Sequence, residues 1–502
     1  MDGTTHLIFS LPEIIHKIME FLPTPDLELI SLNPTWEKEA LRHILDRNPI
    51  DVHLHHVTDS MDLVPFVNQS PKQLNVIVSA AKENLQMLFS KIELFTTINF
   101  NTVTKLSLKI PLDNSLRHLS SRSIKIYESC KNLSSIEVHL IFSEYNAIYS
   151  SDQNWTDLLP DSPHVPQKLT TLTVNMSKLY PDGHVGGWSH VVSLTTRILT
   201  VFSHVQSLKM IDTPGGLTQK ADLILPYLTS ISLVTTYHAR QEYRFITFET
   251  PLNPNFANVT RLEFNLELSV SVQMCEIFNH LAPQLEHLCI SMVFNLDANI
   301  DFYDSRWITI PILPRLKVFE ILRLRGLFCS KETDWFRPYL CLNFETEQEN
   351  VKLVYEKQFP VLERLIVRLV SEPVPRKFRY TVHIPDENLH FEATILLLHE
   401  SFMTEGVSPC GTLRNLDISF PTGEFDVGSM TMKRRCWGDN VFMRWGWTEK
   451  VPDFYSRIAT IFPNVDYHVV ERGKQDVRRA KFNKFKEMAV TSGIFDEEGI
   501  VT

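Results

Sequence analysis

Phe359-Pro360-Val361-Leu362-Glu363-Arg364-Leu365-Ile366-Val367 is the stretch that decides how this chain reads. A Phe-Pro-x-Leu lead-in runs into apolar residues at Leu362, Leu365 and Val367: an apolar residue, two variable ones, an apolar, one variable, an apolar. Working outward, the phrase returns as Val103/Leu106/Leu108, Leu133/Ile136/Val138, Leu169/Leu172/Val174 and Val205/Leu208/Met210. It continues as Leu228/Ile231/Leu233, Val259/Leu262/Phe264, Leu285/Leu288/Ile290, Leu316/Phe319/Ile321 and Leu413/Leu416/Ile418, with a faint last copy from Val465. The lead-in recurs as Leu225-Pro226-Tyr227-Leu228, Leu313-Pro314-Arg315-Leu316 and Phe462-Pro463-Asn464-Val465.

Apolar residues at period two predict a strand with one buried face. Helix-like runs precede several copies, at Leu194–Phe202, Val272–Leu281, Ala393–Phe402 and Phe454–Phe462. Strands alternating with helices in one repeated phrase predict an α/β fold, a leucine-rich-repeat solenoid whose units stack into a parallel sheet shaped as a horseshoe. The spacing, about 23 to about 52 residues, is looser than the usual repeat. The gap between Leu316 and Leu362, and the stretch from there to Val465, must therefore hold loops or extra elements. Residues 48–100 read as transitional, with Val52–Val57 and Leu74–Val78 as degenerate first strands. Residues 101–470 form the repeat body, and residues 471–502 a basic cap or tail.

The opening of the chain follows another rhythm. Ser10-Leu11-Pro12-Glu13 reads as a capping box, and Ile14, Ile15, Ile18, Met19 and Leu22 then fall on one helical stripe. Thr24-Pro25 and Asn33-Pro34 repeat a cap-plus-proline device that starts two more helices. Three helices in about forty residues bury too little surface to stand alone, so they must lean on the rest of the chain or on a partner.

Leu11-Pro12-Glu13-Ile14-Ile15, then Ile18, Phe21-Leu22, Asp26-Leu27 and Trp36, resembles the F-box motif in order and spacing. The family's stretch before the tryptophan differs here, where Leu32-Asn33-Pro34-Thr35 shifts the junction between helices. The resemblance implies a small three-helix F-box module over residues 7–47 that binds the Skp-type adaptor of an SCF cullin–RING ubiquitin ligase. By the same resemblance, Leu11, Pro12, Ile14, Ile15, Ile18, Leu22, Leu27 and Trp36 form the adaptor face. With the repeat body behind it, the chain resembles an F-box protein with irregular leucine-rich repeats, which selects a substrate for ubiquitin-dependent degradation. The alternative is a repeat scaffold that binds partners without any ligase.

The residues between the apolar strand positions are expected on the concave face. The middle positions are Ser107, Glu137, Thr173, Lys209, Ser232, Glu263, Cys289, Glu320, Ile366 and Asp417; Lys105, Lys109, Arg261, Arg364 and Arg368 flank them. Both charge signs alternate with small polar groups, whereas a phosphate-tracking surface needs one sign throughout. A protein ligand is expected, touching Lys209, Glu263, Glu320, Arg364, Arg368 and Asp417, with the two arginines suited to an acidic feature.

The 502 residues are 43% hydrophobic and 22% charged, with a formal net charge of −10, the profile of a folded protein without the basic surplus of a nucleic-acid coat. Seven widely spaced cysteines include no Cys-x-x-Cys pair, which predicts reduced, mostly buried thiols in the cytoplasm or nucleus. No apolar run is long enough to cross a bilayer, so no membrane partner is expected. No Walker loop, His-Glu-x-x-His helix or Gly-x-Ser-x-Gly elbow occurs, so neither catalytic residues nor a cofactor are expected. His53, His55 and His56 lack a carboxylate or thiol at ligand spacing, and no metal is expected. Two further segments draw attention: Arg434–Trp447, mixing cations and aromatics, and the basic run Arg472–Lys486.

Overall fold

The computed structural model describes residues 12–22, 24–28, 34–68, 70–78, 85–112, 122–142, 168–178, 188–211, 213, 224–234, 256–266, 278–292, 307–324, 341–345, 353–370, 397–418 and 456–465. The chain divides into two compact units, Met1–Phe256 and Ala257–Thr502. Both are α/β, built on parallel strands.

The first unit opens with helices α1 (Pro12–Phe21), α2 (Thr24–Glu28) and α3 (Pro34–Arg47). Pro34 opens α3 as expected, at a position where its missing N–H costs nothing. Ile15, Met19, Leu27, Trp36 and Ala40 close on one another as the core of this bundle, with Ile18, Leu22 and Ile44 packed around them. Arg47 ends α3 and donates to the carbonyls of Leu22, Met19 (2.7 Å) and Glu20 (3.2 Å), which satisfies the last turn of α1.

Seven strands follow: β1 (Ile50–His53), β2 (Gln73–Ile77), β3 (Lys105–Leu112), β4 (Ser135–Phe142), β5 (Thr171–Lys178), β6 (Ser207–Ile211) and β7 (Ser230–Val234). Each pairs parallel with the next in chain order. Helices α4 (Val64–Asn68), α5 (Leu85–Thr97) and α6 (Trp188–Val201) lie in the connections. The pairing thus begins inside the segment read as transitional, although β1 stops at His53, short of Val57.

The second unit holds β8 (Arg261–Leu266), β9 (His287–Met292), β10 (Trp307–Ile310), β11 (Val318–Leu324), β12 (Cys341–Phe344), β13 (Arg364–Val370) and β14 (Asn415–Ile418), with a short helix α7 (Tyr355–Gln358). Strands β8, β9, β11, β13 and β14 pair parallel in that order. The extra element expected between Leu316 and Leu362 is β12, which pairs parallel with β10 in a separate small sheet. Gln358 fastens this addition: its amide donates to the carbonyls of Ile310 (2.9 Å) and Pro311 (2.6 Å).

Two local devices repeat along both units, and the first follows from the lead-in phrase. The first is a turn. Leu362 N–H donates to Phe359 O, Leu316 to Leu313, Leu228 to Leu225 and Val465 to Phe462, each at 3.2–3.3 Å. In every case proline sits second in the turn, where its fixed φ is pre-set. The second is a shared acceptor at the strand start. Glu363 and Arg364 N–H both donate to Lys317 O at 2.9 Å, and Ser134 and Ser135 do the same to Thr104 O. These bonds fix the register of each new strand on the previous one, so Leu262, Leu288, Phe319, Leu365 and Leu416 form one buried row. Phe319 anchors the second unit's core, its ring 5.9 Å from Phe359 and 5.6 Å from Phe402.

Among the described residues no helix is long and apolar enough to cross a membrane. Cys130, Cys289 and Cys410 form no disulfide and are buried, in keeping with the expectation for these three.

Candidate docking surfaces

The middle positions of the strand phrase do fall opposite one another. In the first unit Asp51, Asn75, Ser107, Glu137, Thr173, Lys209 and Ser232 make one register row. Next to it run His53, Ile77, Lys109, His139, Asn175 and Ile211. Where the rows meet at β4 and β5, Glu137 becomes the hub of a polar cluster. Its Oε1 lies 2.8 Å from His139 Nε2 and accepts from Asn175 Nδ2 at 3.2 Å. Burial would push this carboxyl up, but the His139 and Asn175 bonds and the Lys209 charge outweigh it and hold its pKa below the usual value.

The second unit has a matching row of Glu263, Cys289, Glu320, Ile366 and Asp417. Cys289 (2% exposed) and Ile366 (4%), middle positions outside the six expected to touch a ligand, are buried. Thr173 and Ser232 are buried as well. Accessible polar groups are therefore grouped rather than continuous. Glu263, Glu320 and Asp417 are half-buried, Arg364 is exposed, and Arg368 lies in β13 with its side chain outside the described residues. His287 Nε2 sits 3.4 Å from Glu320 Oε2. Burial first, then the Arg261 charge, pulls the His287 pKa below its ordinary value, against the opposing pull of Glu320 and Glu263.

The opening bundle presents a different surface. Ile15 (0% exposed), Leu27 and Trp36 were expected on the adaptor face but form the bundle's own core with Met19 and Ala40, because they lie where the three helices meet. Ile14, Ile18 and Leu22 are half-buried, and Leu11 and the side chain of Pro12 lie outside the described residues. The most open apolar groups among the bundle's described residues are Phe21 at 84% and Leu41 at 51%, neither of which was expected on the adaptor face. Phe21 continues the Ile14–Ile18 stripe one turn further, a signal that helical spacing alone carries.

A second constellation escaped the sequence reading. Between α1 and α3, His16 Nδ1 lies 2.6 Å from Glu39 Oε1 and 3.0 Å from His43 Nε2, and the last two atoms are 3.7 Å apart. This is the one group of potential metal ligands found among the described residues. Glu39 and His43 are four apart on one helix, a legible pair, but His16 comes from another helix. The histidines that drew attention, His53, His55 and His56, do not share a strand: His55 and His56 lie in a 3-10 turn, with their rings 3.9 Å apart. Segments Arg434–Trp447 and Arg472–Lys486 lie outside the described residues.

No protein-family model matches the chain, and no curated protein matches it.

Proposed function

We propose that the chain is the substrate-recognition subunit of an SCF-type cullin–RING ubiquitin ligase, an F-box module followed by a leucine-rich-repeat solenoid. One observation carries this reading above all: the opening bundle keeps a core of its own and still turns Phe21 and Leu41 to solvent. Exposed large apolar groups on so small a bundle favour covering by a second polypeptide, since each contributes about 1.5–3 kcal/mol when fully buried. In this reading the Skp-type adaptor covers Phe21, Leu41 and the half-buried Ile14, Ile18 and Leu22. The order and spacing of the opening motif, from Leu11-Pro12 to Trp36, support the same partner.

The body then serves as the receptor. The repeated turn and shared-acceptor devices, with parallel register inside each unit, support a stack of repeat units. Each unit offers its own polar surface for a protein substrate: the cluster around Glu137 in the first, and Glu320 with the exposed Arg364 in the second. Ligase chemistry belongs to the partner complex, and this chain contributes proximity.

Co-expression with a Skp-type adaptor tests the reading. The full-length chain is expected to co-purify with the adaptor in equal amounts. The double substitution Phe21→Asp/Leu41→Asp should abolish the complex with the circular dichroism unchanged. A wild-type chain that folds and never retains the adaptor would leave a binding scaffold without a ligase. For the body, Arg364→Glu with Arg368→Glu should remove some recovered partners; an unchanged set would clear β13 of that role.

A further inference from the structure

The seam between α1 and α3 poses a proton problem. His16 Nδ1 is within hydrogen-bond reach of both Glu39 Oε1 and His43 Nε2. If His16 Nδ1 carries the proton and gives it to Glu39, it cannot also accept from His43, and the His43 nitrogen at 3.0 Å then faces an N–H already engaged. If His16 Nδ1 is bare, the Glu39 carboxylate at 2.6 Å meets a second lone pair. Neutral imidazoles satisfy the three atoms only through one shared proton. A cation satisfies all three at once.

The distances suit one. The circle through the three atoms has a radius of about 1.9 Å, so a point just off their plane lies about 2.0–2.1 Å from each, the length of a zinc bond to imidazole nitrogen or carboxylate oxygen. The outer contact is in place too: His16 Nε2 is 3.4 Å from Glu20 Oε1. A proton held at Nε2 by that carboxylate leaves Nδ1 as the ligating atom. His43 is buried and Glu39 nearly so, while His16 is about one third exposed, which leaves an open side where a water would complete the coordination.

We propose that His16, Glu39 and His43 bind a borderline divalent cation of the zinc class, and that this ion staples α1 to α3. Two imidazoles with one carboxylate favour zinc over magnesium or calcium, which take oxygen ligands. The need for a staple is evident in the bundle itself, where five buried residues make up the core among the described residues. A small helical unit with so little apolar burial gains stability directly from an ion that binds only its folded form. The site is independent of adaptor docking, because its ligands lie in the seam and not among Phe21, Leu41 and their neighbours.

The test uses the full-length chain, stripped with chelator and titrated with cobalt(II) and then zinc, adaptor absent. One equivalent of cobalt(II) is expected with visible bands of a nitrogen–oxygen site, without the sulfur charge-transfer band a cysteine site would give, and displaceable by zinc. Glu39→Gln, nearly isosteric, and His16→Asn, at a partly exposed position, should each weaken binding by at least about tenfold with the helical signal retained. Zinc should slow amide exchange in residues 12–47 of the wild type and leave both variants unchanged. Wild type without an equivalent of cobalt, or with affinity that both variants keep, would overturn the proposal. In either of those cases the seam is a proton-sharing ion pair and no more. Magnesium at the same concentration should produce no protection.

Discussion

The opening bundle and the strand body solve the same problem, hiding apolar side chains, in opposite ways. In the body, alternation does the work: Leu106, Leu108, Ile136, Val138, Leu172 and Val174 go inward and charges go outward along one face of the strands. In the bundle, polar side chains enter the seam between helices, through His16, Glu39, His43 and Arg47, while Phe21 and Leu41 stay outside. A stack of strands can extend its core with each added unit, so apolar content and coverage grow together. Three helices have no such growth. Their geometry leaves apolar residues over and holds the helices together by polar contacts instead. The difference teaches that the body adds core with each unit, whereas the bundle closes a small core and leaves Phe21 and Leu41 outside it.

The largest effect that would break this contrast is in the body. Phe319→Ala empties the space between Phe359 and Phe402 and should cost about 3–5 kcal/mol, read as a lower denaturation midpoint. A loss under about 1 kcal/mol would show that the body's core is loosely packed and that the contrast is false.

Next comes Arg47→Ala. It removes three donated bonds from the end of α1, and hydrogen bonds to a charged group contribute about 1.5–3 kcal/mol together with their desolvation terms. Amide exchange should rise through residues 12–47 and stay unchanged in the strands from β3 onward. Exchange rising evenly through the first unit would mean that the bundle and its sheet open together.

Phe21→Asp with Leu41→Asp should alter the stability of the isolated chain by less than about 0.5 kcal/mol, since neither residue is in the core. Loss of stability there would place both side chains in a contact within the chain and remove them from the surface offered to a partner.

Much of this was readable from residues alone, and the reasons are local. Phe-Pro-x-Leu sets a turn because proline fixes φ at the second position, and the strand phrase sets register because period two assigns each residue a face. What escaped reading was non-local. Strand β12 forms because β10, some thirty residues earlier, lies beside it, and no spacing rule links the two. Cys289 and Ile366 are buried though the phrase puts them on the polar side, so the phrase fixes a face but not its cover. Motif resemblance assigned Ile15, Leu27 and Trp36 outward, yet a bundle this small takes its own core from those same residues. His16, Glu39 and His43 meet only after α1 and α3 pack.

The smallest expected effect concerns the polar face of the second unit, where His287 titrates. Its folded pKa lies below the ordinary value, because burial and Arg261 disfavour the imidazolium more than Glu320 and Glu263 favour it. Just below pH ~6.5 the unfolded chain therefore binds a proton that the folded chain does not. Stability contributed here is complete above that pH, falls as acid carries the solution down toward the folded pKa, and levels off beneath it. His287→Gln should flatten this part of the stability-versus-pH curve. Glu320→Gln should steepen it, because removing the opposing carboxylate 3.4 Å away lowers the folded pKa further and widens the window. Should Glu320→Gln instead leave the curve as in the wild type, the carboxylate faces solvent rather than the ring. The second unit would then present to a partner an anion free of its histidine, unlike Glu137 in the first unit, which His139 and Asn175 hold in place.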